Sequence, residues 1–423
     1  MIQFDPFSSS IRTNPYQAYR RLRDDAPVHY SPEARVWCVS RFQDCHAILN
    51  DPATYSSRAM YDQLMNGGME GPPPLSWNVI RFVAKMIVQA RIHPDRFLNA
   101  RTLIAEDGAD HSETRSIVNR GFTPRGIAQL EPRIRAIADE LLTKALAHSE
   151  IDLVHDFSVP LPVRMISEIL GIEPKRLAEF KRWTDIVIES CTTAQGRARR
   201  SEVDPTFADT LVDMFAYLRR IASQRRKRPA DDLISQIVAT GDGQLGLSNA
   251  DVVSFVTVLL VAGNETTTNL IGNALSALLD HPDQLARLRA QPDEIPAALE
   301  EALRFDSPIQ LVFRTTTRPV ELHGKEIPAG AFVAPLIGSA NRDERRFPDP
   351  DRFDIGRQPQ SHLAFGFGKH FCLGASLARL EARCALETLL ARLPAIERCS
   401  EERRFVDSFL VRGPRRLAVK QAA

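Results

Sequence analysis

The chain has 423 residues, 43% hydrophobic and 25% charged, with a formal net charge of +1. That length exceeds the roughly 250–300 residues at which one core stops growing, so two domains or one large multi-lobed domain are expected. The balanced charge gives no general case for nucleic-acid binding, although local basic patches stay open. Six cysteines, at 38, 45, 191, 372, 384 and 399, are too sparse for a disulfide framework and fit a reducing compartment. None belongs to a CxxC pair or a His/Cys cluster of zinc spacing. The opening stretch MIQFDPFSSSIRTNPYQAYRRLRDDAP is polar and charged, unlike a signal peptide or membrane anchor. The longest apolar run, FVTVLLVAG at 255–263, is too short to span a bilayer. A soluble cytoplasmic protein is expected.

NPYQAYRRLRDDAP reads as a helix ending before Pro27. VHYSPEARVWCVSR alternates like a β-hairpin turning at SPEA, and RFQDCHAILND is helix-like again. Residues 61–100 are expected to be loop-rich, because NGGMEGPPP breaks any regular element. Helical stretches follow in DHSETRSIVNRGF, in IAQLEPRIRAIADELLTKALAH and through 160–240, and the basic turn in RRKRPADD leads into another helix. Ser248 with Asp251 reads as an N-cap pair opening the most regular segment, which Pro282 stops. A helix of about 30 residues rises roughly 45 Å, and one apolar nearly all round is buried. Two more helices are expected over 284–305, then strands in IQLVFRTTT, VELHG and FVAPLIG separated by turns in HGKEIPAG. NRDERRFPDPDRFDIGRQPQ is irregular, ASLARLEARCALETLLARL is an amphipathic helix, and short strands close the chain. No repeat, low-complexity tract or linker interrupts it.

Cys372 stands in FGFGKHFCLG, among Gly366, Gly368 and Gly374 and ahead of a helix. Glycines permit positive φ and close approach of another body. Backbone N–H groups at a helix start favour thiolate over thiol, which suits a metal ligand. Taken alone, the residue reads first as a small buried hydrophobe in a glycine-rich loop, with a nucleophile as the second alternative.

The ten residues, however, resemble the haem-binding signature of the cytochrome P450 family, with Phe365, Gly368, Cys372 and Gly374 at the patterned positions. The resemblance implies a mainly α fold with minor β: a long central helix over haem b (iron protoporphyrin IX) and small β-sheets. It implies one domain over 1–423, β-rich mainly at 25–60 and 308–340 and helix-rich at 105–305 and 372–393. Cys372 would be the iron ligand, with Phe365, Gly366, His370 and Gly374 around the haem. AGNETT, Ala262–Thr267, resembles the family's oxygen-activation motif. There Ala262 and Gly263 leave room, and Glu265 with Thr266 relay protons. On an apolar helix such polar residues are otherwise a bend or back-bonding hydroxyls. EEALR gives Glu301 and Arg304, an i, i+3 pair that alone reads as a surface ion pair. In this position it resembles the family's Glu-x-x-Arg, completed by Arg352 of PDRF as a structural network shaping the cysteine loop. His111 and Arg115 of DHSETR, with Arg314 of LVFRTTT and His370, would hold the haem propionates.

The resemblance also implies an apolar substrate pocket. Leu259, Ile309, Val312 and Phe409 are its candidates, with Leu311, Phe313 and Phe405 beside them. Met60, Met65, Met69 and Met86 could lend adaptability. The sequence runs about 50 residues beyond Cys372 with no flavin or ferredoxin domain. Electrons are therefore expected from a ferredoxin or flavodoxin with its reductase, steered by Lys369, Arg379, Arg383, Arg120 and Arg125. The leading expectation is a monooxygenase using O2, with no nucleic acid and no membrane anchor. Alternatives are an H2O2-dependent peroxygenase, against which Glu265 and Thr266 argue, and a non-catalytic haem-thiolate binder, which would not need the relay.

Overall fold

The structure, a computed structural model, describes residues 3–60, 76–93, 95–96, 100–193, 202–244, 247–357, 361–400 and 402–421. Met65 and Met69 lie outside them. The chain divides into two compact units, each assembled from separate stretches.

The first unit comprises Met1–Ser56, Pro124–Pro162 and Glu265–Ala423. Its five-stranded sheet begins with the expected hairpin, Val28–Ser31 antiparallel to Val36–Val39. Val36–Val39 then pairs in parallel with Phe332–Pro335, which continues through Arg314–Thr316 to Tyr55–Ser56. Alternation buries Val28, Val39 and Val333 against Phe42, Cys45 and Ile48 of the Phe42–Asn50 helix, and Phe347 and Leu363 complete that core. A three-stranded sheet joins Ile151–Asp152, Ala418–Gln421 and Ile396–Arg398. The helices Ile295–Phe305 and Ala375–Arg392 pack together in this unit. Two local readings need correction. Lys325–Ile327 is a strand paired with Val320–Leu322 and not part of a turn, the reversal being only His323–Gly324, both at positive φ. Ile337–Ala340 is a short helix, not the end of a strand.

The second unit comprises Ser57–Thr123 and Val163–Asn264, and its regular elements are helical. Its helices include Gly108–Asn119, Leu177–Thr192, Pro205–Lys227 and Leu233–Gln244. The stretch expected to be loop-rich holds a helix, Trp77–Lys85, that runs into a π-helical turn, Met86–Ala90. Ser76 starts it, its hydroxyl accepting from Val79 N at 3.3 Å.

The long helix is Asn249–Asp280, 32 residues. Ser248 Oγ accepts from Asp251 N at 3.2 Å while Asp251 Oδ2 accepts from Ser248 N at 2.8 Å, the reciprocal cap foreseen in the sequence.

Candidate functional site

Phe365–Gly374 forms an open loop in the first unit. Gly366 and Gly368 have φ of +70° and +69°. At Gly368 a Cβ would lie 3.0 Å from the Leu49 carbonyl oxygen, so conformation and space both demand glycine. Cys372 N donates to Phe365 O at 2.8 Å, folding the loop on itself. Leu363 N, at its base, donates to Asn341 Oδ1 at 2.7 Å. Leu363 and Ala375 are buried, but no residue from 364 to 374 is. Phe371 is 41% exposed and Cys372 is exposed. The loop thus brings Phe365, Gly366, His370, Cys372 and Gly374 together, ahead of the Ala375–Arg392 helix.

Behind the loop stands the Ile295–Phe305 helix. Arg379 donates to Glu300 through Nε at 2.6 Å and Nη2 at 2.9 Å, and His362 Nε2 lies 3.1 Å from the same carboxylate. Burial would raise the Glu300 carboxyl, but those contacts outweigh it and hold it at about 2. The Arg379 guanidinium also lies over the Phe365 ring, 4.4 Å from its centre.

One residue along, Glu301 and Arg304 form a buried pair with both bonds at 2.8 Å. Arg304 further donates to the carbonyls of Asn341, Pro350 and Arg352 at 3.0, 2.9 and 3.2 Å. The second arginine on Glu301 is Arg357, whose Nε lies 3.2 Å from both carboxylate oxygens. This corrects the assignment to Arg352. That residue turns its carbonyl inward, so its side chain points outward, 66% exposed, with Asp354 at 4.0 Å. The turn from Asp354 to Arg357, closed by Arg357 N to Asp354 O at 3.0 Å, delivers the later arginine instead.

At the middle of the long helix, Leu260, Asn264 and Thr267 are buried, whereas Leu259, Gly263, Glu265 and Thr266 are half-buried and Ala262 is exposed. Leu259, Ala262, Gly263 and Thr266 share one face. Beyond them, Thr268 Oγ1 donates to Ser158 O at 3.1 Å, and Asn273 Nδ2 donates to Asp306 O at 2.8 Å and Arg412 O at 3.0 Å. These bonds fix the C-terminal half of the helix within the first unit. Arg314, 5% exposed, donates from Nη1 to Phe313 O at 2.8 Å in that unit. His111, buried, and Arg115, half-buried, stand one turn apart on the Gly108–Asn119 helix of the second.

Two candidate lining segments run side by side: Ile309 pairs with Val411, and Gln310 N donates to Leu410 O at 2.8 Å. Ile309 and Val312 are half-buried. Phe409 is 5% exposed, its ring 4.6 Å from Phe7 and 6.3 Å from Phe313, and so belongs to the core beneath them. Leu311 and Met86 are likewise buried. A polar knot that sequence reasoning missed holds the segments. Asp306 Oδ1 accepts from Arg412 Nε at 2.8 Å and Tyr16 Oη at 2.5 Å, and Arg412 Nη1 donates to Arg12 O at 2.9 Å. Nothing periodic marks these residues in the sequence.

Two of the five cations of the expected basic patch are paired with carboxylates. Arg379 is engaged by Glu300, and Arg383 by Glu131 at 2.7 Å and Glu387 at 3.3 Å. Among the described residues no group of three or more His, Cys, Asp or Glu is placed to hold a metal ion, and no helix is long and apolar enough to cross a membrane.

The family profile described as Cytochrome P450 matches residues 163–414. The chain is 35% identical to the cytochrome P450 monooxygenase PikC of Streptomyces venezuelae, over 93% of this chain and 87% of that protein. Cytochrome P450 CYP109Q5 from Chondromyces apiculatus shares 39% identity at a TM-score of 0.84, covering 100% of this chain and 98% of that one. CYP109E1 from Bacillus megaterium, solved in complex with testosterone, shares 33% identity at a TM-score of 0.83, covering 98% and 100%. Fold, ordered motifs and these likenesses agree: the chain belongs to the cytochrome P450 family and is an enzyme of its monooxygenase class, which carries haem iron.

Proposed function

We propose that this protein inserts one atom of O2 into an apolar small molecule, by hydroxylation or epoxidation, with haem b held by Cys372 and electrons drawn from a ferredoxin or flavodoxin. The observation that carries the reading is the exposed Cys372 thiol on an open loop, gripped from behind by Asn341 and by Arg379 on Glu300. The residues present fit haem. A single soft sulfur donor suits iron, and the unburied rings of Phe365 and Phe371 suit the face of an apolar macrocycle. When bound, the haem supplies oxygen activation, with a thiolate ligand favouring O–O cleavage.

The chain's own residues supply the rest. His111, Arg115, Arg314 and His370 would pair with the propionates. Ala262 and Gly263 keep side-chain bulk off one face of the long helix. On the adjoining turn the Glu265 carboxyl holds a proton and the Thr266 hydroxyl passes it on. Ile309 and Val312 of the first unit, and separately Leu259 of the second, are half-buried apolar groups suited to an apolar substrate, in keeping with the testosterone complex of the related CYP109E1. Glu301, Arg304 and Arg357 hold the loop that carries the sulfur. Lys369, Arg379, Arg383 and Arg125 of the first unit are the candidate cations for steering an acidic electron donor, the two middle ones already shared with carboxylates.

The test is a reduced, carbon monoxide difference spectrum of purified protein. Thiolate-type absorbance in the wild type and its loss in Cys372→Ala is the expected result, and retention of that absorbance in the variant would sink the ligand assignment. Thr266→Ala is expected to keep the spectrum and lose about tenfold or more in product formed per electron pair, the remainder appearing as hydrogen peroxide. Full coupling in that variant would remove Thr266 from the relay.

A further inference from the structure

We propose that residues 76–91 of the second unit form an interfacial helix that seats this protein on an anionic phospholipid surface. The segment, SWNVIRFVAKMIVQAR, is capped by Ser76 and ends at Arg91 with φ of +52°. Its inner face is used: Met86 and Ala90 are buried, and the segment packs on the Pro205–Lys227 helix. Its outer face is also apolar. Trp77 is 77% exposed, Ile80 46%, Ile87 45% and Val88 73%, with Ala84 exposed between them. The spacing of 77, 80, 84, 87 and 88 makes one continuous stripe. Among the described residues the remaining exposed large hydrophobics, Tyr30 and Phe371, lie elsewhere, so the stripe is a concentration and not scatter.

Charge identifies the occupant. No Asp or Glu occurs from residue 76 to 94, in a chain holding 53 of them. Arg81 and Lys85 flank the stripe and share the single carboxylate of Asp209 at 2.7 Å each, and Arg91 is exposed at its end. An apolar face edged by cations, with an indole at one end, is what a helix lying in a headgroup layer presents. A second copy fits less well: two-fold packing of the stripe on itself would bring Arg81, Lys85 and Arg91 with the single carboxylate of Asp209 from each side, leaving positive charge in surplus on both. The face has aliphatic groups and one ring but little to hydrogen-bond, which lipid accepts and a polar protein surface does not. The inference is independent of the chemistry at Cys372.

The experiment is co-sedimentation of the full-length, haem-loaded protein with vesicles of phosphatidylcholine, alone or mixed equally with phosphatidylglycerol, at low and high salt. Binding is expected to favour phosphatidylglycerol by about tenfold and to weaken with salt. The double variant Ile80→Asp, Val88→Asp should lose about tenfold or more in vesicle binding with an unchanged haem spectrum and thermal midpoint. Of the three tryptophans, Trp183 is buried, so a lipid-induced blue shift present in wild type and absent in Trp77→Phe would place the stripe itself in the lipid. Failure to bind either vesicle, equal binding by the double variant, or a dimer in light scattering that the double variant abolishes would each overturn the proposal.

Discussion

Glu301 and Glu381 stand on two helices that pack together, Ile295–Phe305 and Ala375–Arg392, and both are buried, at 5% and 2% exposed. Around Glu301 gather Arg304, Arg357 and the backbone N–H of Asp354, the last at 3.0 Å. Around Glu381 there is no such company: its Oε2 has no hydrogen-bond partner among the described residues, and burial alone pushes its carboxyl up to about 8. A carboxylate is kept charged out of water only by a dedicated set of donors, and without them it keeps its proton. One acid is therefore an anchor for arginines and loop carbonyls, and the other is a neutral filler at ordinary pH.

The largest effect expected from breaking this contrast is at Arg304. Arg304→Ala leaves Glu301 short of its main counter-charge and three carbonyls short of a donor, and should cost about 3–5 kcal/mol in denaturant unfolding. A cost under about 1 kcal/mol would mean that Arg357 alone suffices. Next comes the pH response of Glu381. Its folded-state pKa lies above the unfolded one, so its contribution is complete below the unfolded carboxylate range and drains away as pH rises to about 8. Across that window it should remove up to about 1.4 kcal/mol per pH unit, and Glu381→Gln should flatten the fall. Thermal midpoints taken from pH 5 to 9 would reveal it, and parallel curves for the two proteins would show that the acid is solvated after all.

Smaller effects sharpen the picture. Arg357→Ala should destabilise by about 1–3 kcal/mol and Arg352→Ala by no more than about 0.5, a reversal of what the PDRF motif suggests. Equal costs for the two would return the network to Arg352. Smallest is Glu300, whose depressed pKa gives stability that is present above the unfolded carboxylate range and lost as pH falls toward about 2. Because its side chain is 43% exposed, Glu300→Gln should cost less than about 1 kcal/mol at neutral pH and be felt mainly as a flatter acid limb in urea titrations.

What the sequence made legible was local. The Ser248–Asp251 cap, the hairpin at 28–39 and the glycine-turned loop at 365–374 are each decided within a dozen residues and stand as read, save that the hairpin turns at Pro32–Arg35, one residue beyond SPEA. The choice between Arg352 and Arg357 was not legible, since it hangs on which way one turn faces. The 77–90 helix escaped because it is apolar on both sides and so lacks a single-sided stripe to detect. Lys325–Ile327, with Lys325 and Glu326 exposed, escaped because a polar two-stranded ribbon reads like a turn. Glu300 with Arg379, and Asp306 with Arg412, are joined across 79 and 106 residues, and no spacing rule reaches that far.

The knot at Arg412 also bears on the order of events during synthesis. Asp306 and Tyr16 are made well before the guanidinium that serves both, and the Arg12 carbonyl precedes it by 400 residues. A growing chain emerges from its first end, so the contacts that Arg412 makes to Asp306 and to the Arg12 carbonyl are the last of this set to become available. A message that stops short of Arg412 would yield a chain in which Asp306 lacks its guanidinium and the Arg12 and Asp306 segments lose the side chain that joins them.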